Sequence, residues 1–351
     1  MAFSGSPYTL LGFATSHIGE GIGHVVRVAS LLTQLEPMLD AEVAICIETS
    51  RDPKEVVVPT GIPVQFSSDR ESSHAVWKRI ANSVQGKSRR LALITDLRHP
   101  RRADALYARR LGFDLIVHMN DSALAREYGA DLIVDMHGIH GESSNVLASP
   151  IYTVLRKEVT QARPASPWKK GLCERVTISL GGEDPGHVSE TVLEELDHEL
   201  VPKCLIVLGP AFGLNRSNDL RGLALNRGVE AMPLPSNFVD LILRSDLIVT
   251  LGGMTSREAM ALGRPVASIS WSWMTKYVRH SAWLGLCQDL GPPAGAAARL
   301  ASLTADVPRL QGLAEAGWIA IDGQGASRIG AQIARLSEST PLQVRDELNQ
   351  F

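Results

Sequence analysis

The sequence predicts an α/β protein built from two domains, each with a mainly parallel sheet, and three observations carry this expectation. A chain of 351 residues is longer than a single hydrophobic core usually serves. Short apolar runs of strand character alternate with segments of helical period, the order that yields parallel sheets covered on both faces. The alternation then halts at Arg-Pro-Ala-Ser-Pro-Trp-Lys-Lys-Gly, residues 163–171, too rich in proline and charge for the interior of an element, and begins again after it.

In the first half, residues 8–15 read as a buried strand that runs into a glycine loop, and 24–35 follows with helical periodicity. Further strands are expected at 42–47, 64–66, 91–95, 114–119 and 131–135, with helices at 75–84 and around 123–128. This domain spans 1–155, and 156–173 forms the linker. The second domain, 174–336, opens with a strand at 175–180, the pair Gly181-Gly182 and a helix over about 187–196 introduced by Asp184-Pro185. Strands at 204–208, 230–232, 247–251 and 266–270 alternate with helices near 239–243 and 256–262. An alanine-rich stretch at 292–300 is expected to be helical, the helix at 327–336 can pack on either half, and 337–351 is a polar tail.

Composition narrows the function. Hydrophobic residues make up 44% and charged residues 21%, an ordinary globular balance. With 35 basic and 38 acidic residues the formal charge is −3, so no global field attracts nucleic acid or an anionic membrane, and an anionic ligand must be held locally. No apolar window approaches the roughly 18 to 20 residues that span a bilayer, and the stretch before Tyr8 carries no Lys or Arg of a secretion signal; a cytoplasmic location is expected. Cys46, Cys173, Cys204 and Cys287 are too scattered for a metal cluster and are expected as buried, reduced thiols.

The candidate chemistry lies in loops that follow strands. Gly19, Gly21 and Gly23 sit between a strand and a helix, where a ligand can approach the backbone. Their spacing is not the G-x-G-x-x-G of dinucleotide sites, so no NAD is expected. His24 at the mouth of this loop is the first catalytic candidate, because imidazole exchanges protons near neutrality; its alternative role is to brace the loop. In the second half Gly252 and Gly253 join a strand to a helix that starts with Thr255 and Ser256, whose amides and hydroxyls suit a diphosphate, while Glu258 one turn on suits ribose hydroxyls. A plain turn with an N-cap is the alternative. Gly181 and Gly182 occupy a similar position, and Asp96, Arg98 and His99, with Asn120 and Asp121, also fall just after strands.

Several segments, in order, carry a family resemblance: Gly21-Ile22-Gly23-His24-Val25-Val26-Arg27; Ser149-Pro150-Ile151-Tyr152-Thr153-Val154-Leu155-Arg156; and Ser179-Leu180-Gly181-Gly182-Glu183-Asp184-Pro185. They continue with Ser245-Asp246-Leu247-Ile248-Val249, Gly252-Gly253-Met254-Thr255-Ser256-Arg257-Glu258, Gly263-Arg264-Pro265 and Ile321-Asp322-Gly323-Gln324-Gly325-Ala326-Ser327-Arg328-Ile329. Over most of its length the chain thus resembles the UDP-sugar hydrolases of pseudaminic acid biosynthesis, the PseG and SpsG-like family, which share the GT-B architecture of many glycosyltransferases. The resemblance implies two Rossmann-like parallel-sheet domains facing a central cleft that closes about 156–173. It implies a UDP-sugar substrate with the nucleotide mainly at Gly252, Gly253, Thr255 and Glu258; with the loop reading above, Gly181, Gly182 and Ser256 are also expected at the nucleotide, and Gly21, Gly23, Arg27, Asp96, Arg98, Asn120, Asp121 and Tyr152 at the sugar. His24 would activate a water at the anomeric carbon, with no metal or cofactor required.

The chain departs from the family at three places. Trp271-Ser272-Trp273-Met274-Thr275-Lys276-Tyr277 stands where an Asn-Gln pair is usual, Asp96-Leu97-Arg98 replaces Asp-x-Tyr, and Asn120-Asp121 replaces Asp-Asp. Arg98 suits an acidic or phosphorylated group. The expectation is therefore a nucleotide-sugar hydrolase, with a glycosyltransferase and a non-catalytic nucleotide-sugar binder as the alternatives.

Overall fold

The apolar runs of the first half become the strands of one parallel sheet, and those of the second half become another. The computed structural model describes residues 7–18, 21–56, 58, 61–84, 90–119, 125–184, 186–197, 201 and 203–339. The chain crosses twice between two units: the first runs to Lys157 and resumes at Gln324, and the second is Glu158–Gly323.

The first unit begins with β1 (Tyr8–Ser16), α1 (Gly23–Met38), β2 (Ala41–Thr49), β3 (Val64–Ser67) and α2 (Arg70–Ser83). It continues with β4 (Arg90–Asp96), α3 (Arg102–Arg110), β5 (Leu115–His118), α4 (Ala125–Tyr128), β6 (Leu132–Asp135) and β7 (Val146–Ala148). The strands pair in parallel in the order β3-β2-β1-β4-β5-β6-β7. Alternate residues of β1 enter different cores: Leu10 and Ala14 meet Val28, Leu32 and Leu35 of α1, whereas Leu11 and Phe13 meet Val76, Trp77 and Ile80 of α2. α2 starts where Asp69 accepts a hydrogen bond from the Ser72 amide.

The second unit contains α5 (Lys157–Gln161), β8 (Arg175–Ile178), α6 (Val188–Glu195), β9 (Lys203–Leu208), α7 (Leu214–Asn226), β10 (Glu230–Pro233) and α8 (Phe238–Arg244). Then come β11 (Leu247–Thr250), α9 (Met254–Ala261), β12 (Val266–Ser268), α10 (Thr275–Trp283), β13 (Gln288–Asp289), α11 (Ala296–Ala305) and α12 (Val307–Ala320). Its parallel sheet has the order β10-β9-β8-β11-β12-β13. The final helix, α13 (Gly325–Ser339), returns to the first unit, where Ala326, Ile329 and Ile333 join the core beneath α1. The second unit therefore ends at Gly323 rather than at 336.

The proline-rich stretch at 163–171 is packed structure, not open linker. Trp168 is buried, its Nε1 donates to Asp246 Oδ1 at 2.9 Å and its amide donates to the Gly263 carbonyl at 2.8 Å. The Arg163 guanidinium lies over Trp318, 4.2 Å from the ring centroid. Proline excludes this segment from helices and strands, while its aromatic ring is free to fill the core. No described helix is long and apolar enough to cross a membrane. All four cysteines are free and buried, and burial pushes the Cys46 and Cys287 thiols up to about 11 and those of Cys173 and Cys204 up to about 12.

One close approach shapes the strand ends of the second unit. A β-carbon on Gly209, just after β9, would lie 2.4 Å from the Gly182 carbonyl oxygen and 2.6 Å from that of Gly181. The Ala211 amide donates to the same Gly182 oxygen at 3.0 Å. Gly209→Ala is expected to destabilise the protein by about 2 kcal/mol, because backbone cannot move aside as a side chain can; the readout is a fall of roughly 5 °C in the thermal midpoint.

Candidate functional site

Open parallel sheets bind ligands beyond the carboxyl ends of their strands, at the point where strand order reverses. In the first sheet that point lies between β1 and β4, and in the second between β8 and β11. The loops that carry His24, Asp96, Gly181 and Gly252 leave these four strands, whereas Asn120 and Asp121 follow β5 and Tyr152 follows β7.

In the first unit the structure brings together His24, Arg27 and Asp96. His24 is the second residue of α1, Arg27 lies one turn further on the same face, and Asp96 is the last residue of β4. His24 Nδ1 is 2.6 Å from Asp96 Oδ1. Arg27 clamps the same carboxylate, Nε to Oδ2 at 2.6 Å and Nη2 to Oδ1 at 2.8 Å. Asp96 is wholly buried. Burial pushes its carboxyl up, but the Arg27 charge and His24 more than reverse this, holding it below the usual carboxylate range. Arg27 Nη2 also comes within 3.1 Å of His24 Nδ1. Both nitrogens face Asp96 Oδ1, and the shorter contact with an ionised carboxylate assigns the proton to His24 Nδ1, which leaves Nε2 to exchange protons.

The other expected residues of this unit are placed less closely. Gly21 adopts a left-handed conformation at φ +72° and Gly23 is the first residue of α1. Arg98 is half-buried, two residues beyond Asp96. Tyr152 lies in a 3-10 turn, Pro150–Tyr152, and packs against the core that holds α1 and α13. Burial and the nearby Glu142 raise its phenol. Asn120 and Asp121 lie outside the described residues.

In the second unit Gly181 has φ +95° and Gly252 φ +85°. Gly253 caps α9 without any side-chain bond, and the first turn of α9 carries no acidic residue, so Met254 and Thr255 present first-turn amides beside Gly252. Ser256 differs from expectation, since its amide and its hydroxyl both donate to the Gly253 carbonyl, at 3.1 Å and 2.5 Å. The hydroxyl thus closes the turn and its amide is not an open donor. Glu258 is buried within α9, and Thr255 is half-buried.

These two sheets, each wound in both directions with candidate loops at the reversal, give the chain a GT-B-type fold. Among solved structures the chain is similar to UDP-GlcNAc 2-epimerase from Neisseria meningitidis bound to UDP-GlcNAc, with TM-score 0.57 and 13% identity over 93% of this chain and 100% of that one. It is similar to MurG of Acinetobacter baumannii, with TM-score 0.65 and 15% identity over 94% and 100%. A third similar structure is Anabaena HepE in complex with UDP-glucose, with TM-score 0.56 and 15% identity over 94% and 99%. At such identities the likeness is one of fold. No protein-family profile matches the chain. The uncharacterized protein MJ1062 of Methanocaldococcus jannaschii is 32% identical over 124 residues, 33% of this chain, and the chain spans only 25% of that relative.

Two groups at the first strand ends escape a reading of the sequence. Arg70 bridges the buried carboxylates of Glu48 (2.8 Å) and Asp104 (2.5 Å), and Glu48 also lies 3.4 Å from His17, tying the β1–α1 loop to β2. The second group is His118, the last residue of β5, with Nδ1 2.7 Å from Thr95 Oγ1 and Nε2 without a partner among the described residues. Only its place at the end of the continuous apolar run of β5 hints at its burial. Burial lowers its imidazole to about 4, against an ordinary 6.5.

The unfolded chain therefore takes up a proton at His118 near pH 6.5, and the folded chain not until about pH 4. Stability falls as pH drops through this interval, by about 3 kcal/mol from this group. Asp96 adds a loss in the same direction only below its ordinary 3.8. His118→Gln is expected to flatten the decline of the thermal midpoint between pH 7 and pH 4; an unchanged slope contradicts the assignment.

Proposed function

We propose that the chain is a nucleotide-sugar hydrolase that cleaves the anomeric bond of a UDP-linked amino or deoxy sugar and releases the free sugar and UDP. The observation that carries this reading is the 2.6 Å contact of His24 Nδ1 with the buried Asp96, which orients the imidazole and leaves Nε2 as the nitrogen to act as general base. Two further points support it: the likeness in fold to structures that hold UDP-GlcNAc or UDP-glucose, and the resemblance of the loop segments to the PseG and SpsG-like hydrolases.

In the proposed reaction His24 Nε2 takes a proton from water while the water oxygen bonds to the anomeric carbon. The bond from that carbon to the phosphate oxygen breaks, and its electron pair leaves on UDP. Asp96 stabilises the imidazolium so formed, and Arg27 keeps Asp96 ionised. Gly252, Gly253 and the first-turn amides of Met254 and Thr255 receive the diphosphate, with Gly181, Gly182 and the Thr255 hydroxyl alongside, Ser256 closes the turn that holds them, and Glu258 accepts hydrogen bonds from the ribose. Gly21, Gly23, Arg98 and Tyr152, together with Asn120 and Asp121, serve the sugar.

A glycosyltransferase is the second reading, favoured by the likeness in fold to a glycotransferase of kitacinnamycin. There an acceptor hydroxyl replaces water at His24 Nε2, and the same dyad serves.

The test is nucleotide release from UDP-, GDP- and CDP-sugars without acceptor, with products followed by mass spectrometry. His24→Ala is expected to lower release by about 10²- to 10⁴-fold, the range of general-base catalysis, with UDP affinity kept. Asp96→Asn is expected to lower it by about 10²-fold or more, because an amide can stabilise the wrong imidazole tautomer. Binding without release excludes hydrolysis of that panel, and sugar transfer on adding an acceptor then supports the second reading. Neither release nor transfer marks a non-catalytic binder.

A further inference from the structure

Four described non-glycine residues have a left-handed backbone, Asp40, Asp184, His187 and Ser272, and three of them meet at one place in the second unit. Asp184 and His187 flank Gly186. Against Gly186 lies the indole of Trp271, so close that a β-carbon there would fall 2.1 to 2.4 Å from three ring atoms. Asp184 is held in its conformation by bonds from the Val188 and Ser189 amides, at 3.0 and 2.9 Å, and from Arg216 Nη2 at 2.9 Å. Strain concentrated in this way is characteristic of ligand-holding loops.

Ser272 turns the chain so that its two tryptophan neighbours face differently. Trp271 packs against the core of the second unit, while Trp273 is 40% exposed. The Trp273 ring is braced edge-to-face by Tyr277, at 6.0 Å between centroids, and Lys276 Nζ lies over the Tyr277 ring. α10, which follows, rests on the glycine loop of β11: a β-carbon on Gly252 would meet Val278 Cγ2 at 2.7 Å and Met274 Cε at 3.7 Å. β12 and β11 are neighbours in the sheet, and Met274, the residue after Trp273, reaches the loop assigned above to the diphosphate, so Trp273 belongs to the segment that borders this loop.

We propose that Trp273 is the specificity-determining residue for the sugar, its exposed indole taking the apolar C–H face of the pyranose ring. The inference rests on the nucleotide-sugar reading of the same site. With the ribose on Glu258, the sugar is the substituent at the other end of the diphosphate. From Trp271 to Met274 the side chains are two indoles, one hydroxyl and one thioether, so this loop selects by the face of a ring rather than by a network of hydrogen bonds to hydroxyls.

The test compares binding of UDP, UDP-glucose and UDP-N-acetylglucosamine to the full chain by calorimetry. Trp273→Ala is expected to weaken the better-bound UDP-sugar about tenfold and to leave UDP within twofold, while Trp273→Phe keeps most of the difference. Equal weakening of UDP and UDP-sugar overturns the proposal, because Trp273 then serves the nucleotide or the fold. Unchanged UDP-sugar binding overturns it as well, as does a wild-type protein that holds neither sugar more tightly than UDP. Failure of the function reading is seen separately: the wild-type chain then binds none of the three.

Discussion

Asp96 is the constraint on which the first unit's strand ends depend. A carboxylate with no exposed surface must be paired and hydrogen-bonded to remain charged, and the penalty for leaving it unpaired is several kcal/mol. Its two oxygens are met by Arg27 from one side and by His24 and Arg27 together on the other. That pairing ties the start of α1 to the end of β4 across the reversal of strand order. It also fixes one nitrogen of His24 and leaves the other for chemistry, so the interaction that makes the burial of Asp96 tolerable is the one that orients the candidate base.

Buried aspartates organise the second unit as well. Asp246 precedes β11 and accepts from Trp168 Nε1 and from the amides of Glu174 and Arg175, while Lys170 pairs with it. In this way the segment that enters the unit is bound to the start of β11, the strand that leads into the Gly252 loop. Asp184 caps α6 through two amides and pairs with Arg216, which fixes the loop after β8. Each carboxylate is satisfied mainly by backbone amides and a cation near a strand end, so rigidity is concentrated where the loops emerge.

The alternation of strands and helices was legible in the sequence, and so was the prominence of the Gly21-Gly23-His24 loop, because burial on both faces writes continuous apolar runs and because glycine marks close backbone approach. Some elements left too faint a mark. α3 buries only Asp104, Ala105 and Ala108, α7 buries only Leu220 and Ala224, and α12 carries Pro308, Gly312 and Gly317, which read as interruptions. Gly317 is instead the place where α12 lies against Met260 of α9. Trp168 sits in a stretch whose prolines and charges resemble a linker, and a lone aromatic in such a stretch has no periodicity to announce its burial.

What the sequence by itself determined is local: which segments extend or coil, where the loops fall, that His24 and Gly252 stand at strand-to-helix junctions, and that Glu258 lies one turn into the helix that follows. Those properties depend on neighbours within a few residues, through side-chain period and backbone freedom. Only the tertiary structure decided that Asp96, far along the chain from His24, is its partner, that Arg27 completes the group, and that α13 returns to the first unit. These outcomes arise from the order in which parallel strands assemble, and that order is set by the packing of whole faces rather than by any run of adjacent residues.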